Sequence, residues 1–457
     1  MYEDIRCTTS KQNNTLTELI FHGINDIRNL APALMDSLWD EYERQKNSLM
    51  MVASCSLVSP AVLACQGMVP VNVTAEGYPG ARYHAGCAIL DNIESYAIDL
   101  AKSAFNARYA NVQPHSASTA NEIVMFSLLE PNDVILGMDL NSGGHLSHGA
   151  SISFSGTYFK SVKYGLDDDY QIDLNKVEAL AIQHKPKLII CGTTAYSREI
   201  DFRAFRDIAD RVGAYLLADI SHISGLVIAG LHPSPIDIAH ITTTCTHKQI
   251  FGPRGGLILA GDSYDIPIKI RTKNKTLKEH MQNAVFPFFQ GAPMMNMIAG
   301  KAMALKIALT QEYKQTMVHI QCLARALANY LISIGYDIVS KGTDTHLILI
   351  DLDNKAITGD VAENLLEQCN IIVNRNNVPN RSKQQKEPAG IRIGTNSLAQ
   401  RGFTIEDIIH CGELIDYILT RVVRKADGTF CITEEMKRDI NYHVLELCKK
   451  NPIPGYI

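Results

Sequence analysis

From about residue 105 onward, short apolar runs alternate with helical ones along the chain. Val134 to Met138, Lys187 to Gly192, Tyr215 to Asp219, His240 to Thr244 and Leu257 to Ala260 are each bounded by Gly, Pro or Asp. Runs that short and continuously apolar are the pattern of strands covered on both faces, as in a parallel sheet between helices. The chain therefore reads as α/β with a mostly parallel sheet. Ahead of these strands, Pro32 to Arg44 carries Leu34, Met35, Leu38, Trp39 and Tyr42 at helical spacing. Its proline falls in the first turn, where a missing N–H costs little. Residues 1 to 28 read as a polar arm.

A long helical pattern covers Met295 to Tyr313, and another carries Leu323, Leu327, Leu331 and Ile334 at spacings of 4, 4 and 3. Strands then become sparser: His346 to Leu352, Ile371 to Asn374 and Gly390 to Gly394, flanked by helices near Asp360 to Glu367 and Thr404 to Leu419. The second of these helices opens with Thr404-Ile405-Glu406-Asp407, close to a capping box. The change in strand density sets a boundary near residue 310. Three units are expected: an N-terminal arm and helix over 1–60, a large domain over 61–310 and a small C-terminal α/β domain over 311–457. Asn376 to Pro388 (NNVPNRSKQQKEP) is a polar loop.

Composition narrows the function. The 457 residues include 48 acidic side chains against 43 Lys plus Arg, a formal net charge of −5. Affinity for phosphate backbones or anionic membranes rests on a basic excess, so nucleic-acid and membrane-surface roles are not expected. A 46% hydrophobic content with 20% charged residues suits a large globular core. Eleven scattered cysteines with no CxxC pair fit free thiols in a reducing compartment, and the cytoplasm is the expected location. The opening Met1-Tyr2-Glu3-Asp4 carries acid where a signal peptide needs positive charge, and no apolar run has membrane-span length.

Candidate chemistry lies at two strand ends. Asp219 closes the run Tyr215 to Asp219, and Lys248 follows the run ending at Thr244. Both should project beyond the carboxyl edge of the sheet, where α/β enzymes place ligands. A lysine there can join a carbonyl as a Schiff base, and a buried carboxylate can keep a pyridine nitrogen protonated so that the ring accepts electrons. The pair reads as a pyridoxal-phosphate site, against the plainer alternative of a surface lysine and a strand-end cap. Pro114-His115-Ser116-Ala117-Ser118-Thr119 precedes an apolar helix at Asn121 to Leu129, giving either an anion site or a simple N-cap. Leu140-Asn141-Ser142-Gly143-Gly144-His145 offers close backbone approach and a flat ring to stack on a cofactor. His145 and His148 are three apart, but no nearby carboxylate or cysteine and no HExxH spacing completes a metal set, so no metal is expected.

The runs Ala75-Glu76-Gly77-Tyr78-Pro79-Gly80-Ala81-Arg82-Tyr83, Ala110-Asn111-Val112-Gln113-Pro114-His115-Ser116, Gly137-Met138-Asp139-Leu140, Gly230-Leu231-His232-Pro233-Ser234-Pro235, Thr246-His247-Lys248, Gly252-Pro253-Arg254-Gly255-Gly256 and Gly390-Ile391-Arg392-Ile393-Gly394-Thr395 closely resemble serine hydroxymethyltransferase. The resemblance covers roughly residues 35 to 425, in order. It implies the fold-type I pyridoxal-phosphate architecture, with a seven-stranded type of sheet. It implies that Lys248 carries the cofactor, that Asp219 partners the pyridine nitrogen, that His145 stacks on the ring and that His222 lies by the phenolic oxygen. Ala117, Ser118, Thr194, His247 and Gly291 are further implied cofactor contacts, with Thr246 beside the reacting lysine. Arg392 and Ser54 match the anchors for the substrate carboxylate. The flanking Ile391 and Ile393 put Arg392 on the other face of a strand, where Gly390 and Gly394 are expected to leave room for a carboxylate clamp. Glu76 matches the glutamate of proton transfer, with Tyr83 beside it. Glu76, Leu140, Gly144 and Leu146 match a folate pocket. Gln290 and Gly291 match a loop reaching a neighbouring subunit's phosphate, so the resemblance implies a homodimer or larger even oligomer with shared active sites.

Departures from the family pattern bear on substrate. Where the family reads LIASENF, this chain has Met51-Val52-Ala53-Ser54-Cys55-Ser56-Leu57. Thr74 and His84 stand where tyrosines are usual, one near the substrate carboxylate and one near the reacting lysine, so Thr74 is expected at the substrate and His84 as an acid or base; Ser142 replaces the first histidine of HGGH, and Ala292 replaces a glycine of QGGP. The loop after Pro379 carries Gln384 and Lys386 in place of a serine and an aromatic residue that contact the pterin. The expected activity is reversible Cα–Cβ cleavage on serine, glycine or a close analogue such as α-methylserine, with tetrahydrofolate as one-carbon carrier. The alternatives are a folate-independent threonine-type aldolase or transaldolase using a larger aldehyde, and a catalytically silent binding module.

Overall fold

The computed structural model describes residues 10–270, 273–380, 388–424, 426 and 429–456. Seven strands form the main sheet: β1 (Tyr109–Asn111), β2 (Val134–Met138), β3 (Lys160–Tyr164), β4 (Leu188–Gly192), β5 (Tyr215–Asp219), β6 (Ile241–Cys245) and β7 (Gly256–Ala260). Their spatial order is β1-β7-β6-β5-β4-β2-β3. β7 runs antiparallel to both neighbours, and the other pairings recorded are parallel. Every residue of β4, β6 and β7 is buried. That is why these strands read as unbroken apolar runs and not as alternation. The chain is an α/β protein of the fold-type I kind, as the sequence predicts.

A second sheet comprises β8 (Asp337–Ile338), β9 (Leu347–Asp351), β10 (Asn374–Asn376) and β11 (Gly390–Gly394), in the order β8-β9-β11-β10 and antiparallel throughout. Ile371–Ile372 leaves this sheet to pair in parallel with Leu49–Met50. The helix Ile405–Thr420 starts with the capping box expected at Thr404: its Oγ1 accepts from Asp407 N at 3.2 Å, and Asp407 Oδ2 accepts from Thr404 N at 3.0 Å.

Two sequence expectations need correction. Residues 10 to 30 are not an arm but a helix, α1 (Ser10–Leu30), which Ala31 separates from α2 (Pro32–Lys46). Leu16, Leu19, Phe21 and Ile24 recur at helical spacing among polar residues, and all are exposed in the single chain. Nor is Met295 to Tyr313 one helix. It ends at Ala308, and Thr310 caps a second helix, Gln311–Ser333, by accepting from Tyr313 N at 3.2 Å. Apolar periodicity runs through that junction, so only the cap marks it. Among the described residues no helix is long and apolar enough to cross a membrane.

Candidate active site

Asp219 is the last residue of β5 and is 6% exposed. It lies in register with Gly192 of β4, where a Cβ would come 2.4 Å from the Asp219 carbonyl oxygen, so only glycine lets the strands end this closely. Asp219 Oδ2 accepts from Asn121 Nδ2 at 2.8 Å and lies 3.0 Å from His148 Nε2. Oδ1 accepts from Ser221 N at 3.0 Å and from Ser221 Oγ at 2.6 Å. Burial alone would raise this carboxyl, but the hydrogen bond and charge of His148, with His145 and Ser221, hold it well below the ordinary carboxylate value. A buried, ionised carboxylate thus sits at the carboxyl edge of the sheet.

His145 is braced beside it, with Nδ1 2.7 Å from Ser147 Oγ. Ser147 Oγ also accepts from Asn121 Nδ2 at 2.9 Å, and Asn121 Oδ1 accepts from Thr243 Oγ1 at 2.6 Å. Burial, with the charge of His148, pushes His145 down to about 4, so its ring is neutral and flat-faced at pH 7. Lys248 follows β6. Burial lowers its ammonium, opposed by Cys245 and Asp219 and reinforced by Arg392 and Arg254. Its Nζ makes no hydrogen bond or ion pair among the described residues. His222 is buried, its Nδ1 3.5 Å from His346 Nε2 with the rings stacked 5.6 Å apart, and its Nε2 has no partner. His346 Nε2 lies 3.1 Å from the Ala53 carbonyl oxygen.

Ala117 and Ser118 fall in the first turn of the helix Ala117–Leu128, whose N-cap Ser116 accepts from Thr119 N at 3.0 Å. The N–H groups of a helix's first residues have no intrahelical partner, so this turn offers free donors of the kind that receive an anion. Thr246 is committed elsewhere: its Oγ1 donates to Pro253 O at 2.6 Å, bracing the turn that carries Lys248. His247 is pushed down to about 4 by burial, then by Arg254, and its Nδ1 is buried without a partner.

Arg392, in the middle of β11, is 6% exposed. Its Nη1 donates to Thr194 O at 2.6 Å and its Nε to Asn374 Oδ1 at 3.1 Å. Burial lowers it to about 10, leaving it a cation at neutral pH. The room expected beside Gly390 and Gly394 is not free space. A Cβ at Gly394 would lie 2.4 Å from Ala53 Cα, and one at Gly390 would lie 2.2 Å from Ile350 O. The glycines admit protein backbone instead, and Gly394 N donates to Met51 O at 2.7 Å. The segment so seated carries the partly buried Ser54 and Cys55. Burial raises the Cys55 thiol, and the charges of Arg254 and Arg392 act on it.

A second group gathers around Glu76. Glu76 Oε2 is 3.1 Å from His84 Nε2, both partly exposed. Tyr83 is 72% exposed and packs edge-on against Phe286 at 5.3 Å. A Cβ on Gly291 would come 3.4 Å from Glu76 Oε1, and Thr74 is exposed nearby in sequence. Among the described residues no hydrogen bond or ion pair joins this group to Lys248, Asp219 or Arg392. Gln290 turns inward within its own chain, accepting from His115 N at 3.1 Å and donating to Gln113 O at 3.0 Å. Leu140 and Leu146 are about half exposed. Leu140 and Gly144 line one cavity with Thr194, Asn377 and Pro388. Gln384 and Lys386 lie outside the described residues.

Asn121, His148 and His346 escaped sequence reasoning. The available signal for His148 is its i+3 spacing from His145, which puts both rings on one side of the short turn. Among the described residues no group of three or more His, Cys, Asp or Glu could hold a metal ion. The buried anion Asp219, the unpartnered amine of Lys248, the orphaned His222 Nε2 and the open helix turn at Ala117–Ser118 suit the ring nitrogen, aldehyde, ring oxygen and phosphate of pyridoxal phosphate. Asp219 already has four donors, so a ring N–H would share or replace one of them.

Fold and site together define a pyridoxal-phosphate enzyme of fold-type I. A family model described as serine hydroxymethyltransferase matches residues 27–415. A serine hydroxymethyltransferase of Chlorobium phaeovibrioides is 45% identical over 423 residues, covering 91% of this chain and 95% of that protein. One from Bartonella henselae is 43% identical over 450 residues, covering 98% and 99%. The chain belongs to the serine hydroxymethyltransferase family.

Proposed function

We propose that this protein interconverts serine and glycine, or a close analogue of that pair, with tetrahydrofolate as the one-carbon carrier. The observation that carries the reading is the ionised, buried Asp219 at the same sheet edge as the unpartnered Lys248. When bound, pyridoxal phosphate supplies an electron sink for the charge that develops at the substrate α-carbon. Lys248 is the amine for the cofactor aldehyde, and Asp219, kept anionic by His148, is the counter-charge for the ring nitrogen. His145 gives the ring a neutral face, His222 a polar contact, and the Ala117–Ser118 turn holds the phosphate. Arg392, already oriented by Thr194 and Asn374, binds the substrate carboxylate together with Ser54. Glu76, with His84 in contact, handles the proton. Thr246 and Thr194 act through the turns they fix.

Among the described residues no hydrogen bond or ion pair joins the Glu76 group to Lys248, Asp219 or Arg392, which supports a homodimer, or a tetramer built from it, in which Glu76, Tyr83, His84 and Gly291 serve the neighbour's Lys248. The apolar residues that α1 and α2 leave exposed in the single chain support the same assembly, which would cover them. The division at residues 60 and 310 and a cytoplasmic location complete the reading; α/β units of this kind and ten described cysteines all left free accord with them. The deciding assay compares tetrahydrofolate-dependent serine cleavage with folate-free cleavage of threonine and allo-threonine. Faster serine turnover with folate is expected. Brisk folate-free cleavage with no response to tetrahydrofolate would assign the chain to the aldolases.

A further inference from the structure

Lys301 lies in the helix Met295–Ala308, outside every motif discussed above, and is 2% exposed. Among the described residues its Nζ forms no ion pair. It donates instead to three backbone carbonyls: Val112 at 2.6 Å, Pro114 at 3.0 Å and Gly256 at 3.1 Å. Burying an ammonium on neutral acceptors is costly, and burial does push Lys301 down to about 7, with only the charge of Glu94 opposing. Glu94 is itself engaged, by Gln113 Nε2 at 2.7 Å and by Arg82 Nη2. A hydrophobic side chain would serve the core of this helix better, so the retained cation needs a task.

Its three acceptors indicate that task. Val112 and Pro114 belong to the segment running from β1 into the N-cap Ser116, and Gly256 opens β7 on the other side. Gly256 N also donates to Pro114 O at 2.9 Å, and a Cβ on Gly256 would lie 2.3 Å from Ser116 O. Gln290 clamps the same segment through Gln113 O and His115 N. The polar backbone leading to the helix turn is thus pinned from behind, and Lys301 supplies two of those pins and ties them to β7 through Gly256 O.

We propose that Lys301 is a positioning residue for the phosphate end of the cofactor site, fixing the 112–116 segment so that the N–H groups of Ala117 and Ser118 converge on a phosphate. This rests on the reading of that turn as the phosphate site. Lys301 touches neither substrate nor cofactor; it acts through the backbone, and its charge lies behind the same turn.

The test reconstitutes the full chain with pyridoxal 5′-phosphate and, separately, with pyridoxal, which lacks the phosphate. In Lys301→Met the phosphorylated cofactor should bind about tenfold more weakly or worse, while pyridoxal binding stays within roughly threefold of the parent. A second variant covers a folding failure. In Gly255→Ala the new Cβ would meet Lys301 Cε at 2.2 Å and Nζ at 2.8 Å, closer than its third neighbour, Thr246 Oγ1 at 3.0 Å, displacing the ammonium while retaining it. The same selective loss is expected there. An affinity ratio within about twofold of the parent's in either folded variant overturns the assignment. If the parent itself binds pyridoxal as tightly as pyridoxal phosphate, the phosphate-site reading fails, and the assignment of Lys301 falls with it.

Discussion

His148 Nε2 lies 3.0 Å from Asp219 Oδ2, and both side chains are almost wholly buried. In so dry a setting the carboxylate persists only because His148, Ser221 and Asn121 surround it with donors and charge. Asp219→Asn keeps the shape but removes the anion. Turnover of serine should fall roughly 100-fold or more, the scale of losing a preorganised electrostatic group, with the fold retained by circular dichroism. His148→Gln should lower it by less. The double variant should cost less than the sum, since both act through one carboxylate; strict additivity would dissociate His148 from the site.

Lys248→Ala should yield protein that holds pyridoxal phosphate only reversibly, through the helix turn. Borohydride reduction of the parent followed by peptide mapping should place the fixed cofactor on Lys248. A label on any other lysine would remove Lys248 from its role.

Glu76 and His84, 3.1 Å apart, set up a test of substrate scope. Introducing His84→Tyr and Thr74→Tyr together replaces an imidazole and a small hydroxyl by the family's usual phenols. The preference order among serine, α-methylserine and threonine should change, as read from relative kcat/KM. An unchanged order would make both positions mere packing.

The loop of Glu76, Tyr83 and His84 hangs on a buried network. Arg82 Nε donates to Asp91 at 2.7 Å, Arg82 Nη1 to Ala75 O and Gly77 O, and Glu94 accepts from both Arg82 and Gln113. Glu94→Ala leaves the guanidinium without its most buried partner and should destabilise the protein by about 3–5 kcal/mol, the usual cost of breaking a buried pair. Urea melts of the cofactor-free chain measure this.

Acid should weaken the fold early. Burial pushes His145, His240 and His247 down to about 4 and His346 to about 3, from an ordinary 6.5. Below 6.5 the unfolded chain takes up protons that the folded chain refuses, so stability is intact above that pH and is lost as pH falls through the window from 6.5 to about 4. Denaturation midpoints at a series of pH values should decline across that window. A flat profile down to pH 5 would contradict the burial of these rings.

Much of the fold was legible in the linear pattern because burial on both faces of a sheet leaves an unmistakable apolar run: Val134–Met138 and Tyr215–Asp219 fall where the sequence puts them. Thr404 with Asp407 was legible because capping is a local hydrogen-bond exchange. The helix Ser10–Leu30 was missed because its apolar residues are diluted by polar neighbours and many of them stay exposed in their own chain. The residue types of the site, Lys248 and Asp219 at strand ends, also followed from sequence. What surrounds them did not. That Asn121 and His148 meet at Asp219 and that Lys301 reaches three carbonyls across two strands depends on contacts between residues far apart in the chain. That Ala53 fills the space at Gly394 is of the same kind. A sequence states which groups are present and the local conformations they favour. Which donors end up facing a buried charge is decided only when strands and helices pack, because a hydrogen bond needs its partners within about 3 Å whatever their separation along the chain.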